Sequence, residues 1–303
     1  MYLTQSIAAT IHKLYSFHLA EPHATSGLTC YESMSANLCS PRDLVNSYTP
    51  GGLRMIRGLG RRARKLRKAA TLLQRRPFVK AVIAHRVAAA TEHLSAIEMC
   101  GANTLLDAGA NTGQFSLAFR TLRPHAQIIA FEPLPKAAET FEKLFKGDAL
   151  TELQRVALAE DAGISEFHVA DRADSSSLLK PGAGQELAFG VREANTVRVT
   201  RKRLDACVEF SELRHPVLLK VDVQGGEQGV FNGCDQLSKV DYIYVELSFV
   251  ELYLGQPLFE DVVDYLQTRQ FRIIGFFNQV VTEEYGPTQV DVLFQRRTPE
   301  DFV

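Results

Sequence analysis

The chain has 303 residues and a net charge of −1, with 46% hydrophobic and 23% charged residues. This composition is typical of a globular protein and excludes disordered and fibrous classes. No apolar run approaches the roughly 18 residues of a membrane-spanning helix. The start of the chain lacks a basic region followed by an apolar core, so we expect no signal peptide and a cytoplasmic location.

The cysteines argue against a disulfide framework or a metal site. They are odd in number and scattered without metal-ligand spacing, which fits a reducing compartment. No compact histidine and aspartate cluster is visible either, so we predict no metal. The five cysteines are Cys30, Cys39, Cys100, Cys207 and Cys234.

Composition divides the chain into three regions. Residues 1–50 are rich in Ser, Thr, Ala and Tyr without sustained periodicity, so we expect a poorly ordered extension. Residues 51–100 are predicted to form a basic helical segment, because residues 51–90 contain 12 Lys or Arg and no acidic residue. The rest of the chain carries 22 basic and 35 acidic residues. Residues 101–303 are predicted to form the main domain.

Within the basic segment, apolar residues recur at helical spacing from Leu59 to Leu73. This pattern predicts a basic amphipathic helix that ends near Pro77. The helix either lies on an anionic membrane surface, binds an anionic substrate, or packs its narrow apolar stripe on the acidic domain. We favour packing, and the absence of a nucleic-acid-binding motif argues against nucleic acid. The basic residues are Arg61, Arg62, Arg64, Lys65, Arg67 and Lys68.

The first predicted strand leads into a glycine-containing turn. Thr104–Leu106 are apolar or small, Asp107 ends the strand, and Gly109 and Gly113 precede a helix predicted over Gln114–Leu122. Open α/β sheets bind nucleotide-like ligands where a strand end meets a helix start. The Gly-x-x-x-Gly spacing differs from the dinucleotide fingerprint. The carboxylate of Asp107 would repel a pyrophosphate but suits a ligand with an ammonium and a sulfonium, such as S-adenosylmethionine.

The second predicted strand, Gln127–Phe131, also ends in a carboxylate. Glu132 follows Gly113 by 19 residues and is followed by Pro133. A carboxylate at this distance beyond the glycine turn is expected to accept the ribose hydroxyls of a bound nucleotide. The alternative is that Glu132 is a neighbour of a helix start, since Pro135 suits a first helical turn. We favour the ribose role because both carboxylates follow strands of one unit.

The remainder of the chain alternates between helix-like and strand-like stretches. Helices are predicted from Pro135 to Lys146 and from Leu258 to Thr268. This alternation predicts a mostly parallel sheet, and the close spacing of the last two strands predicts an antiparallel hairpin at its edge. The predicted strands are Leu153–Leu158, Val217–Val221, Tyr242–Val245, Phe271–Ile274 and Val290–Phe294, with an added strand pair at Ser165–Ala170 and Thr196–Arg201.

Several of these segments resemble the FkbM-type S-adenosylmethionine-dependent methyltransferases. The resemblance lies in Asp-Ala-Gly-Ala-Asn-Thr-Gly-Gln-Phe and Phe-Glu-Pro-Leu-Pro, and in three later segments that follow in the family's order. The later segments are Asp174–Leu179, Leu218–Glu227 and Val245–Gln256. The sequence departs from the family at Gly226, where a bulkier residue is usual. Glycine there would loosen the turn after Asp222 or open room near the transferred methyl group.

The resemblance implies the class I methyltransferase fold. That fold is α/β, with a Rossmann-like, mostly parallel seven-stranded sheet, an antiparallel edge strand and, here, a preceding N-terminal helical segment. It also implies S-adenosyl-L-methionine as the cofactor. The predicted cofactor-binding residues are Asp107, Gly109, Ala110, Asn111, Gly113, Glu132, Pro133 and Ala157.

Three further carboxylates lie at or just past predicted strand ends. A hydroxyl acceptor must lose a proton during methylation, and a well-placed base contributes about 10²–10⁴-fold to the rate. Asp222 is our first candidate base, with Glu227 and Glu246 behind it. The alternatives are that Asp222 binds the cofactor's amino group or caps the next helix, and that Glu246 makes a structural hydrogen bond.

Other polar residues are weaker candidates. His168 lies in an alternating strand, so a structural role is expected. His93 follows Glu92 on an amphipathic helix before the first strand, where it could reach over the site as a lid, although we favour a surface role. The polar loop Asp174–Ser177 could offer hydroxyls to substrate or cofactor, although loops without function look similar.

We therefore predict a cytoplasmic O-methyltransferase with a small-molecule or glycan substrate. The acceptor class, a hydroxyl of a sugar, glycan, lipid-linked saccharide or polyketide-like metabolite, is implied by the resemblance alone. The alternatives are a nicotinamide-dependent oxidoreductase on a similar sheet and a non-catalytic cofactor-binding or scaffold protein of the same fold. The segment Asp222-Val223-Gln224-Gly225 lacks the Asn/Asp-Pro-Pro-Tyr pattern of enzymes that methylate nucleobase amines.

Overall fold

The computed structural model describes residues 70–72 and 75–298. The chain divides into two compact units, Met1–Arg86 and Val87–Val303. The first unit contains helix α1 (Arg76–His85), in which Pro77 stands in the first turn, where its missing N–H is tolerated. The extension predicted over residues 1–50 and the basic helix predicted around Arg61–Lys68 lie outside the described residues.

The second unit is built on a seven-stranded sheet with the order β3-β2-β1-β7-β8-β10-β9. The first five strands in this order run parallel, whereas β10 is antiparallel to both of its neighbours. The predicted class I architecture is confirmed, with one correction: the antiparallel strand lies one position in from the edge, which β9 occupies. The strands of this sheet are β1 (Thr104–Ala108), β2 (Gln127–Phe131), β3 (Thr151–Gln154), β7 (Val217–Val221), β8 (Tyr242–Ser248), β9 (Phe271–Thr282) and β10 (Gly286–Arg296).

Three helices of this unit connect neighbouring parallel strands, as crossover connections require. They are Gln114–Leu122 between β1 and β2, Pro135–Leu144 between β2 and β3, and Glu227–Asn232 between β7 and β8. The predicted helix over Gln114–Leu122 is observed with the same bounds. None of the described helices is long and apolar enough to cross a membrane. The helices are α2 (Leu94–Cys100), α3 (Gln114–Leu122), α4 (Pro135–Leu144), α5 (Ala183–Phe189), α6 (Glu227–Asn232) and α7 (Phe259–Thr268), and a short 3-10 turn, Thr91–His93, precedes α2.

A second, three-stranded sheet has the order β4-β6-β5. It contains the predicted strand pair as β5 (Gly163–Ala170) and β6 (Glu193–Lys202). The prediction of one strand over Leu153–Leu158 is wrong, because the chain turns at Arg155, where the Val156 N–H donates to the Gln154 carbonyl at 2.9 Å. The residues after the turn leave the main sheet and form β4 (Ala157–Leu158).

The two faces of the main sheet differ in character. On one face, buried apolar residues of β1, β7, β8 and β10 pack into a single core, for example Leu106, Leu219 and Val245. Alternation places the opposite set of side chains on the other face. On that face, polar residues of neighbouring strands lie side by side. Asp107 is the cross-strand partner of Lys220, Lys220 of Tyr244, and Glu246 of Asp291. The buried core positions on the first face include Leu106, Ala108, Val217, Leu219, Val221, Ile243, Val245, Leu247, Val290, Val292 and Phe294.

Candidate active site

The glycine turn after β1 is held between the ends of β2 and β7. Gly109 has a φ of 77° and Gly113, the residue before α3, has a φ of 91°, both in the region that favours glycine. A Cβ atom on Gly109 would lie 2.0 Å from the Asp222 carbonyl oxygen. The N–H groups of Gly109 and Ala110 donate to the Phe131 carbonyl at 3.1 and 3.0 Å. Only glycine therefore lets the first turn pass this close to the turn after β7.

Glu132 extends directly onto this turn. Its Oε2 accepts the N–H of Asn111 at 2.9 Å, and its Oε1 accepts the N–H of Leu134 at 2.7 Å. The residue is only 5% exposed, and burial raises the pKa of Glu132 to about 7. Asn111 is in the left-handed conformation, with a φ of 48°, and in this conformation its N–H donates to Glu132. Glu132 thus neighbours the start of α4, as the alternative predicted, with Pro133 between Glu132 and Leu134, and it also contacts the glycine turn. Its binding of ribose hydroxyls remains a prediction.

Asp107 is fully buried and bound by groups of the protein itself. Its Oδ2 accepts the Ser116 hydroxyl at 2.7 Å, and its Oδ1 lies 3.2 Å from Lys220 Nζ. The second contact is an ion pair, since within the described residues Oδ1 receives no aligned hydrogen bond. The predicted direct contact between Asp107 and a ligand remains a prediction, and in this structure its charge is met by Lys220.

Lys220 is the residue of this site that sequence analysis did not select. Its ammonium donates to the Gly109 carbonyl at 2.9 Å and lies 3.7 Å from Asp222 Oδ2. Burial opposes its charge, but Asp107 and Asp222 outweigh that effect, so the pKa of Lys220 is raised. The sequence does contain a signal that could have identified Lys220. It is a lysine inside an otherwise apolar parallel strand, where a buried charge needs a partner.

Asp222 and Glu246 are brought together by one side chain. The amide Nε2 of Gln224 donates to Asp222 Oδ1 at 2.8 Å and to Glu246 Oε2 at 3.1 Å. Gln289 donates to the same Glu246 oxygen at 2.8 Å, and the Tyr253 hydroxyl lies 2.8 Å from Gln224 Oε1. Burial and then the charge of Asp222 raise the pKa of Glu246 well above its usual value.

Glu227, the third predicted carboxylate, closes the turn that follows β7. Its Oε1 accepts the N–H groups of Gly225 at 3.0 Å and Val223 at 3.3 Å. The residue is 5% exposed, and burial raises the pKa of Glu227 to about 7. Its catalytic assignment remains untested, whereas its contacts shape the loop that carries Asp222. Gly226 beside it has an ordinary φ of −91°, and an added Cβ would meet Val223 Cγ2 at 3.5 Å, an ordinary contact.

Ala157 and His168 lie in the small sheet, whereas the serine loop contacts the site. Ala157, predicted to bind cofactor, packs with Phe167 and Val199 in the apolar cluster of the small sheet. His168 lies 3.2 Å from Glu193 in the same sheet. The Ser177 hydroxyl donates to the Gln224 carbonyl at 2.7 Å, so that the polar serine loop is fastened to the turn after β7.

The described residues contain no group of three or more His, Cys, Asp or Glu side chains arranged to hold a metal ion. The acidic side chains at the sheet edge are instead bridged by amides and by Lys220.

Residues 107–273 match the family described as the methyltransferase FkbM domain. The chain is 31% identical over 181 residues to 2-O-methyltransferase NoeI of Sinorhizobium fredii, covering 57% of this chain and 74% of that protein. It is 30% identical over 158 residues to Methyltransferase 1 of Beauveria bassiana, covering 47% of this chain and 64% of that protein.

Solved structures align at lower identity. Magnesium protoporphyrin IX methyltransferase from Synechocystis PCC 6803 aligns over 67% of this chain and 76% of its own, with 10% identity and a TM-score of 0.38. TehB from Haemophilus influenzae aligns over 72% of this chain and 66% of its own, with 8% identity and a TM-score of 0.41. The family match spans more than half of this chain and includes the glycine turn, Glu132, Asp222 and Glu246. The chain therefore belongs to the FkbM methyltransferase family, and it is a methyltransferase.

Proposed function

We propose that the protein is an S-adenosylmethionine-dependent O-methyltransferase that acts on a hydroxyl of a sugar, glycan or polyketide-like metabolite. The observation that carries the cofactor assignment is the contact between Glu132 and Asn111, which joins a buried carboxylate to the glycine turn. The hydroxyl acceptor is supported by the 31% identity to a protein named a 2-O-methyltransferase.

The surroundings of Glu132 suit a nucleoside. A carboxylate has about four lone-pair sites, and each oxygen of Glu132 uses one of them for a backbone N–H. One site on each oxygen is left for the two ribose hydroxyls. The first N–H groups of α3 have no partner within the helix and can meet polar atoms of the same ligand. When bound, the cofactor supplies a methyl group activated by a sulfonium.

Asp222 is the carboxylate of this edge that is most open to a ligand, with 40% of its side chain exposed. Lys220 Nζ lies 3.7 Å from its Oδ2, and the Gln224 amide donates to its Oδ1 at 2.8 Å. A carboxylate held in this way suits binding of the cofactor's amino group. This is the alternative role predicted for Asp222 from the sequence. We therefore propose the binding role for Asp222 ahead of the base role.

The charge of Asp107 alone does not exclude a pyrophosphate ligand, because Lys220 is paired with this carboxylate. The Gly-x-x-x-Gly spacing and the exposed carboxylate of Asp222 still disfavour a dinucleotide.

The proposed partner is a small molecule or glycan, and the proposed location is the cytoplasm, which the scattered cysteines support. Contact of the basic segment with an anionic surface is a further possibility that only the sequence supports.

The test uses the full-length protein, S-adenosylmethionine with a labelled methyl group, and deproteinised glycan and metabolite extracts. Mass spectrometry is expected to find the label as a methyl ether on a hydroxyl oxygen. Calorimetry is expected to show binding of S-adenosylmethionine and none of NAD. Tight NAD binding without S-adenosylmethionine binding, or label on nitrogen or carbon only, would overturn the proposal.

A further inference from the structure

His93 lies at the rim of the candidate site and not on a remote surface. The turn that carries it is joined to α3, because the Ala90 N–H donates to the carbonyl of Gln114 at 3.0 Å. The His93 ring also lies 5.4 Å from the ring of Phe115, the second residue of α3. Phe115 in turn lies 5.8 Å from Lys220 Nζ, which bonds the glycine turn. These contacts place the imidazole beside the start of α3.

One ring nitrogen of His93 is held by a polar cluster on the sheet. Nδ1 lies 2.9 Å from the Tyr244 hydroxyl, 3.3 Å from Asp291 Oδ2 and 3.1 Å from Asn278 Nδ2. Asp291 Oδ2 also accepts the Tyr244 hydroxyl at 2.9 Å and the Asn278 amide at 2.8 Å. Within the described part of the chain Nε2 has no hydrogen-bond partner, and 21% of the side chain is exposed.

A count of the protons in this cluster assigns the tautomer. Burial and the charge of Asp291 raise the pKa of Tyr244, so its phenol keeps its one proton and donates it to Asp291. Nδ1 of His93 then faces a phenol oxygen and a carboxylate oxygen, and these two acceptors favour a proton on Nδ1. In that tautomer the lone pair of the neutral ring is on Nε2. The Asn278 amide is the one neighbour that would favour the opposite tautomer, so the tautomer itself can be measured.

We propose that His93 is the general base of the reaction, and that Asp291 and Tyr244 are positioning residues that fix its tautomer. This inference rests on the proposed O-methyl transfer. It assigns a role to three residues that lie far apart in the sequence and meet only through the sheet.

The proposed step moves one proton and one methyl group. The acceptor oxygen uses a lone pair to form a bond to the methyl carbon, and the bond from that carbon to sulfur breaks with its electron pair left on sulfur. The hydroxyl proton passes to Nε2 of His93. The positive charge of the sulfonium is thereby replaced by that of an imidazolium, which Asp291 stabilises and which then loses its proton to water.

The carboxylates are less suited to this step. Asp222 is already in contact with Lys220 at 3.7 Å and with the Gln224 amide at 2.8 Å, and Glu227 is engaged in the turn after β7. Glu246 receives two amide donors on Oε2, and its raised pKa favours the protonated form, which cannot take a further proton.

The charges around His93 come from four elements. Asp291 on β10 and Tyr244 on β8 contact Nδ1, and Glu92 precedes His93 on its own turn. Lys220 on β7 lies beyond Phe115, and Glu246 is the cross-strand partner of Asp291.

The first experiment measures the tautomer in the full-length protein with ¹⁵N-labelled histidine. Two-bond ¹⁵N–¹H spectra of the neutral His93 ring are expected to show Nδ1 protonated and Nε2 unprotonated, with and without S-adenosylhomocysteine as a probe. Asp291→Asn is expected to shift His93 to the opposite tautomer. A wild-type ring protonated at Nε2 would overturn the inference, whatever the enzyme's activity.

The second experiment measures turnover of the hydroxyl acceptor found in the labelling experiment. His93→Gln is expected to lower kcat by about 10²–10⁴-fold and to remove the acid limb of the pH–rate profile, with the Kd for S-adenosylhomocysteine unchanged. His125→Gln, in an exposed loop after α3, is the matched control and should retain wild-type turnover.

The outcomes separate the two proposals. Wild-type protein that methylates no hydroxyl contradicts the proposed function, while the spectra still decide the tautomer. Wild-type activity on a hydroxyl that persists in folded His93→Gln with an unchanged pH profile contradicts the base assignment alone. Thermal unfolding shows whether each variant is folded. If His93→Gln is unfolded, the kcat and the His93 tautomer of Asp291→Asn, which preserves size, decide the base assignment.

Discussion

Lys220 Nζ lies 3.2 Å from Asp107 Oδ1, so that a cation from β7 and a carboxylate from β1 meet in the interior of the sheet. The Lys220 side chain is 8% exposed and that of Asp107 is fully buried. Removing one partner of such a pair leaves the other charge without compensation, which costs far more than the pair itself contributes. This asymmetry allows a direct test.

Lys220→Met is expected to lower the free energy of unfolding by about 3–5 kcal/mol, because Asp107 would then be a buried charge without a cation. Urea unfolding measures the change. The double variant Lys220→Met/Asp107→Asn removes both charges and should recover part of the loss. A single variant as stable as the wild type would show that the pair does not matter for stability.

Glu132→Gln is expected to weaken S-adenosylmethionine binding by about tenfold or more, since hydrogen bonds to a charged group contribute about 1.5–3 kcal/mol. Calorimetry measures the Kd, and no gain in NAD binding is expected. Glu142→Gln, on the exposed side of α4, is the matched control. Equal Kd values for S-adenosylmethionine in Glu132→Gln and wild type would contradict the cofactor-binding role. The role of Glu132 would then be limited to its structural hydrogen bonds with Asn111 and Leu134.

Stability is expected to depend on pH through Glu227. Burial raises the pKa of Glu227 from 4.5 to about 7, so between these values the folded state holds a proton that the unfolded state has lost. The free energy of unfolding therefore falls as pH rises through this window, by about 1.4 kcal/mol per pH unit. Glu132 adds a slope of the same sign because burial raises its pKa to about 7 as well.

Glu227→Gln keeps an acceptor oxygen for the turn and is expected to remove the contribution of Glu227, about 1.4 kcal/mol per pH unit, while the contributions of other buried carboxyls remain. Urea unfolding at several pH values between about 5 and 7 gives the comparison. A variant with the wild-type slope would contradict the assignment to Glu227.

Asp222→Asn distinguishes binding from catalysis. If Asp222 binds the cofactor's amino group, the Kd for S-adenosylmethionine rises about tenfold or more, while kcat at saturating cofactor changes less. If Asp222 is the base, kcat falls by about 10²-fold or more and the Kd changes little. We expect the first result. The second would restore the role that the sequence suggested and would conflict with the assignment to His93.

Two glycine substitutions are expected to differ sharply. Gly109→Ala places a Cβ 2.0 Å from the Asp222 carbonyl at a φ of 77°, so we expect a loss of more than about 1 kcal/mol and of cofactor binding. Gly226→Ala has an ordinary φ and an ordinary contact of 3.5 Å, so its stability should lie within about 1 kcal/mol of wild type. Thermal unfolding and calorimetry compare them. A severe loss in Gly226→Ala would show that glycine is needed there, contrary to the observed geometry.

The sequence alone predicts those parts of the site that depend on local pattern. The apolar run before Asp107, the glycine turn and the helix over Gln114–Leu122 follow from periodicity and turn chemistry, and the structure has that helix with the same bounds. Glu132, Asp222 and Glu246 could be placed near one another because the carboxyl ends of parallel strands share one edge of a sheet.

Only the tertiary structure decides which side chains pair across that edge. The chain's turn at Arg155 moves Ala157 to another sheet, and the Lys220–Asp107 and His93–Asp291 contacts join residues far apart in sequence. Such pairs depend on the register of neighbouring strands and on which face each residue takes. A single-residue shift in register would reverse those faces, and no local pattern around Lys220 or His93 specifies the register.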